Sequence, residues 1–128
     1  MSTRAVYTFG DKHVYIHYDG YPKGAAAYFE AMQFYAKQNE PPATETEDLY
    51  HEFIYANVAV TEDQKSIGEI IDRRDAHADV EYGYTINNQQ LTVHEIDMGE
   101  ETQIWQGTIE EFLTTHNPAA YVGKGGGI

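Results

Sequence analysis

Cysteine is absent from the 128 residues. That removes disulfide bridges, thiolate nucleophiles, Cys-ligated zinc and iron–sulfur clusters from consideration. Basic residues are scarce: 8 Lys and Arg stand against 21 Asp and Glu, a formal net charge of −13. A surface this negative repels phosphate backbones and anionic lipid, so neither direct nucleic-acid binding nor a membrane partner is expected. Serine occurs only at Ser2 and Ser66, and neither sits in the strand–turn–helix elbow that exposes a hydroxyl nucleophile. No stretch approaches the roughly 18 apolar residues that span a bilayer. The opening residues 1–7 lack the apolar run of a secretory signal. A cytoplasmic protein with no enzyme signature, no cofactor and no metal is the expectation.

What is present suffices for one core. Hydrophobic residues make up 41% and aromatics 13%, well outside the range of disordered chains. Two β-branched and aromatic runs, 5–9 and 13–18, flank Gly10-Asp11-Lys12 at hairpin spacing. Residues 23–38 contain no β-branched side chain and place Phe29, Met32 and Ala36 on one stripe, which predicts a helix lying on a sheet. Pro41-Pro42 ends it, and Thr44 with Glu47 matches a capping box opening a second helix over 45–59. The segment 66–73 reads as a weak strand. Val80, Tyr82, Tyr84 and Ile86 then alternate with polar residues, and strands over 91–97 and 102–106 complete a meander. Thr108 caps a short last helix over 109–115, with Glu110 and Glu111 in its first turn. The fold class expected is α+β: a single domain over 1–122 with an antiparallel sheet (N-terminal hairpin plus C-terminal meander), two central helices and a short C-terminal helix on one face. A Gly-rich flexible tail over 123–128 follows.

Six histidines raise the question of a metal, but His13 and His17 fall on a strand, where four residues separate them by roughly 13 Å. The run Asp75-Ala76-His77-Ala78-Asp79 lacks the glycine and the terminal Glu of a calcium loop and reads as a turn with solvated acids. The carboxylates are unevenly spread. Seven acids and no Lys or Arg lie between Lys37 and Lys65, and nine with none between Arg74 and Lys124. Such a charge costs stability through self-repulsion, so a use for it is plausible beside plain solubility. Glu45, Glu47, Asp48 and Glu52, with Asp97, Glu100 and Glu101, are the candidate partner-binding residues, standing in for phosphates on an acidic face. A second candidate set is a small-ligand site. There Tyr18, Tyr21 or Trp105 stacks a base beside Asp19, and Arg73 or Arg74 holds a phosphate.

Two stretches carry a family resemblance. Arg4-Ala5-Val6-Tyr7-Thr8-Phe9, His13-Val14-Tyr15 and His17-Tyr18-Asp19-Gly20-Tyr21-Pro22-Lys23-Gly24-Ala25-Ala26 are similar to the opening of a family of small acidic proteins encoded by phages and prophages. Asp75 to Tyr82 and Gly107-Thr108-Ile109-Glu110-Glu111-Phe112 resemble its second half. The resemblance implies a phage context and a site of action in the host cytoplasm, and it carries over no catalytic residue. Small acidic phage proteins often block host defence. The expected function is therefore a non-enzymatic, anti-CRISPR-like inhibitor that occupies the basic nucleic-acid groove of a host defence protein. The alternatives are a sponge for a small nucleotide signal, and a phage structural or assembly protein; homo-oligomerisation is compatible with each.

Overall fold

Gly10 opens the first turn with a φ of 65°, a left-handed value that glycine adopts without strain. It lets β1 (Ala5–Phe9) fold back on β2 (Lys12–Ile16) in antiparallel register, from Ala5 opposite Ile16 to Phe9 opposite Lys12. The computed structural model describes residues 3–58 and 68–116. The tail over 123–128, the domain boundary at 122 and Ser66 lie outside them.

Pro22 occupies the first turn of α1 (Pro22–Ala36), where its missing N–H costs nothing. The expected stripe of Phe29, Met32 and Ala36 is buried. The second helix is shorter than expected: α2 covers Thr46–Phe53, and a π-helical turn over Ile54–Val58 follows. The Thr44–Glu47 capping box does not form. Glu45 is the N-cap residue without a side-chain cap bond. Instead the Thr46 N–H and hydroxyl both donate to Asn88 Oδ1 at 3.1 Å, and Asn88 N–H donates back to Thr46 Oγ1 at 2.8 Å. A turn 42 residues away thus does the work assigned to a local box.

Strands β3 (Gly68–Ile71), β4 (Tyr82–Asn87), β5 (Gln90–Asp97) and β6 (Glu100–Thr108) lead to α3 (Ile109–His116). A capping box does open α3: Glu111 N–H donates to Thr108 Oγ1 at 3.0 Å and Thr108 N–H to Glu111 Oε1 at 2.7 Å. All six strands form one sheet in the order β3-β2-β1-β4-β5-β6. The domain is α+β as expected, and four of its strand pairs are antiparallel. The fifth, β1 with β4, is parallel. An all-antiparallel sheet is thereby corrected to a mixed one. The physical reason is the loop over 72–81, which leaves β3 at one end of the sheet and crosses β2 and β1 to enter β4 at the other. A parallel neighbour requires such a crossover.

The three helices cover one face of the sheet. There Tyr7, Phe9, Phe29, Leu49, Phe53, Tyr84 and Phe112 share one core. The opposite face carries a smaller cluster of Val6, Tyr15, Ile71 and Val80, with Ile96 against it, and the crossover loop lies over it.

Candidate functional site

Six of the seven acids put forward as partner-binding residues fall at opposite ends of the sheet. Thr46 binds the β4–β5 turn at Asn88, so Glu45, Glu47 and Asp48 sit at that end. Asp97, Glu100 and Glu101 flank the β5–β6 turn. Strand β5 separates the two turns by about 23 Å at 3.3 Å per residue. Two of the seven are also engaged. Asn39 Nδ2 donates to Glu52 Oε2 at 2.7 Å, and Arg74 grips Glu101 through Nη1 at 2.9 Å and Nη2 at 2.6 Å. A single seven-acid patch is therefore corrected: an antiparallel strand places its two turns at its two ends.

The α2 end gains other acids instead. Ile109 N–H donates to Gln89 O at 2.9 Å, which brings the start of α3 to the same β4–β5 turn. Both helices carry acids in their first turns, Glu47 and Asp48 in α2, Glu110 and Glu111 in α3, where the helix dipole favours them. The β1–β2 turn lies alongside: a Cβ on Gly10 would stand 3.8 Å from Thr46 Cγ2, which adds Asp11. The acidic end thus comprises Asp11, Glu45, Glu47, Asp48, Glu110 and Glu111. Lys37 reaches Glu110 at 3.4 Å across solvent. Each helix-start acid is legible in the sequence. Their meeting depends on contacts made by Asn88 and Gln89.

The small-ligand set is not assembled either. Tyr18, Asp19 and Tyr21 lie in the β2–α1 turn, at the end of the sheet away from the acidic helix starts. Packing accounts for that turn. Gly20 is buried and a Cβ there would lie 2.7 Å from Ala5 Cβ, while one on Gly24 would strike the Asp19 carbonyl. Asp19 takes a φ of 55°, Tyr28 Oη donates to Tyr18 O at 3.0 Å, and Tyr84 Oη donates to Gly20 O at 2.6 Å. Trp105 meets Phe112 edge-on at 5.2 Å on the helix face. Arg73 pairs with Asp75 at 3.2 Å in solvent, and Arg74 is taken by Glu101. The sheet lies between Trp105 and the arginines, so stacking rings and phosphate-binding cations do not converge.

A cluster that sequence reading missed joins four segments on the crossover face. The His77 ring stacks on Tyr15 at 3.8 Å with planes 16° apart, and its Nε2 stands 3.4 Å from Glu69 Oε1. Tyr15 Oη lies 3.1 Å from His17 Nδ1 and 3.4 Å from both Asp79 oxygens. Arg4 Nε closes the chain 2.8 Å from Asp79 Oδ2. Burial, then the Asp79 charge, raise the Tyr15 phenol above its ordinary range. The segment 75–79, read from sequence as a turn with solvated acids, is in fact pinned to the sheet through His77 and Asp79. Among the described residues no three His, Asp or Glu side chains come together to hold a metal.

Beside this cluster, between the crossover loop and the β5–β6 hairpin, lies a cavity of about 560 Å³. Ala78, Val80, Ile96 and Met98 give it an apolar lining, and Arg74 and Glu101 form a polar wall. The volume falls within the range of small-molecule sites.

The chain matches no family model, no curated protein and no solved structure. None of its described helices is long and apolar enough to cross a membrane.

Proposed function

We propose that this chain is a non-enzymatic binding protein that docks its acidic end on a basic, nucleic-acid-binding surface of a partner protein. In the phage context implied by its sequence resemblance, that partner is a host defence protein and docking blocks it. One observation carries the reading: α2, α3 and the β1–β2 turn converge on the β4–β5 turn and bring Asp11, Glu45, Glu47, Asp48, Glu110 and Glu111 to one end. The helix starts hold Glu47, Asp48, Glu110 and Glu111 on rigid elements. Complementary fields of this kind speed encounter and discriminate between partners. The nucleotide-sponge alternative loses support because its rings and arginines lie apart.

The test is capture from defence-bearing cells with the whole chain and two charge-reversed variants. One carries Glu45→Lys, Glu47→Lys and Asp48→Lys; the other carries Asp97→Lys and Glu100→Lys. The expected result is a basic nucleic-acid-binding partner that DNA displaces and that raising salt from about 0.05 to 0.5 M releases. The α2 variant loses it and the hairpin variant keeps it. Capture that ignores salt, or that survives the α2 reversal, refutes the proposal.

A further inference from the structure

Three aromatic rings on the helical layer stand outside both hydrophobic clusters. Phe34 is 60% and Tyr55 64% exposed, and Tyr35 between them is half-buried. Tyr35 meets Phe34 edge-on at 5.1 Å and Tyr55 at 5.0 Å, so the rings form one ladder from α1 to the π-helical turn. That turn is pinned to α1: Asn57 Nδ2 donates to Tyr28 O at 3.0 Å, and Val58 is buried. Such turns are rare in helices and gather at functional sites. Contiguous exposed apolar surface on a fixed backbone marks a place of contact.

The surroundings of the ladder select its occupant. Glu30 stands one helical turn before Phe34 on α1, and Glu52 three residues before Tyr55, so a carboxylate flanks each outer ring. Among the described residues neither carboxylate is paired with a cation. Asn39 Nδ2 donates to Oε2 of Glu52 at 2.7 Å, and Lys37, three residues past Phe34, turns to Glu110 at 3.4 Å. Ring faces and carboxylates both attract cations. A second copy of a chain with net charge −13 is repelled. Guanidinium suits this surface better than ammonium: it is planar and weakly hydrated, and it stacks on a ring while its N–H edges meet carboxylates.

We propose that the Phe34–Tyr35–Tyr55 ladder reads arginine on the partner's basic surface, stacking guanidinium groups on its rings while Glu30 and Glu52 take their N–H edges. This rests on the docking reading above and deepens it: the acidic end attracts any basic chain, and the ladder selects arginine over lysine.

The experiment titrates the whole chain with an arginine and a lysine oligomer of equal length, by fluorescence anisotropy at constant ionic strength. An exposed cation–π contact contributes about two- to fivefold in affinity, and lysine stacks less well. The arginine oligomer should therefore bind roughly fivefold tighter and shift the amides of Phe34, Tyr35 and Tyr55. Phe34→Leu with Tyr55→Leu keeps apolar bulk at two exposed positions and removes their ring faces; it should bring the two oligomers to equal affinity. Tyr55→Phe keeps the ring face and should keep the preference. Equal binding of the two oligomers by the parent overturns the proposal. So does an arginine preference that survives the Leu variant, because carboxylates alone then supply it, and so do arginine-induced shifts confined to other segments. Self-association in sedimentation equilibrium that the Leu variant abolishes makes this face a dimer interface and also overturns it. Reversal of Glu45, Glu47 and Asp48 to Lys should weaken both oligomers and leave their ratio unchanged. If it weakens neither, the acidic-end reading fails while the selectivity of the ladder stands.

Discussion

Tyr7 and Tyr84 stack in the core with ring centroids 5.0 Å apart, yet their hydroxyls are in opposite situations. Tyr84 Oη donates to the Gly20 carbonyl at 2.6 Å. Tyr7 Oη is buried and finds no hydrogen-bond partner among the described residues. A buried polar group without a partner costs about 1–3 kcal/mol, so Tyr7→Phe should be neutral or stabilising by up to that amount. Tyr84→Phe should instead destabilise by a similar figure, because it strips the donor from a carbonyl in the β2–α1 turn. The two variants remove the same atom from neighbouring rings, so packing losses nearly cancel in the comparison. Urea titration measures both, and thermal melts should separate them by roughly 3–6 °C per kcal/mol. Burial raises both phenols above their ordinary value of 10. The folded state therefore keeps protons that the unfolded chain releases, and stability falls as pH rises past about 10. Either Phe variant should flatten that alkaline limb. Equal destabilisation by the two substitutions would refute the assignment of an unpartnered Tyr7 hydroxyl.

The β2–α1 turn is expected to be steric in origin: Gly20→Ala and Gly24→Ala should each cost about 1–3 kcal/mol or more, and a change below 0.5 kcal/mol in urea melts, a rough threshold for a neutral substitution, would return the Tyr-Asp-Gly-Tyr-Pro motif to a ligand-binding role. A Cβ on Gly83 would collide with Arg74 Nη2, so Gly83→Ala should swing the guanidinium off Glu101. A double-mutant cycle checks this, with Glu101→Gln costing up to about 1 kcal/mol in the parent and nothing in the Gly83→Ala background. His116 lies 4.4 Å from the Phe112 ring, and burial, then Lys23, lower its pKa. The unfolded chain takes up the proton more readily, so part of the stability is lost as pH falls through about 6.5. His116→Phe should remove that component from a pH series of urea midpoints.

Local features were legible and long-range ones were not. The Gly10 hairpin, the Phe29–Met32–Ala36 stripe, the alternation through Tyr82–Tyr84–Ile86 and the Thr108 cap each involve residues within a few positions, so propensity and period determine them. Thr46 and Asn88 are 42 residues apart. Nothing local to Thr44 and Glu47 reveals that a distant asparagine will outcompete their box. The β1–β4 pairing is equally hidden, because pattern shows that two strands exist and not which edges meet. The same limit explains the candidate sites. Composition revealed an excess of carboxylates, and topology alone distributed them. His77 and Asp79 stood in a segment that reads as a solvated turn, and only the crossover brings them to Tyr15 and Arg4.

That distribution has an electrostatic consequence. The helix-start acids and the β5–β6 turn acids lie about 23 Å apart along β5. At 0.15 M ionic strength the Debye length is about 8 Å, and at 0.01 M about 30 Å. At physiological salt the two ends are therefore independent, and a basic partner seated on Glu45, Glu47 and Asp48 does not sense Asp97 or Glu100. At low salt it does. Charge reversal at the hairpin should leave the association rate with the captured partner unchanged near 0.15 M and lower it near 0.01 M. Reversal at the α2 start should lower it at both. Stopped-flow association at the two salt concentrations distinguishes this from a diffuse negative cloud, in which both variants would act alike at each ionic strength.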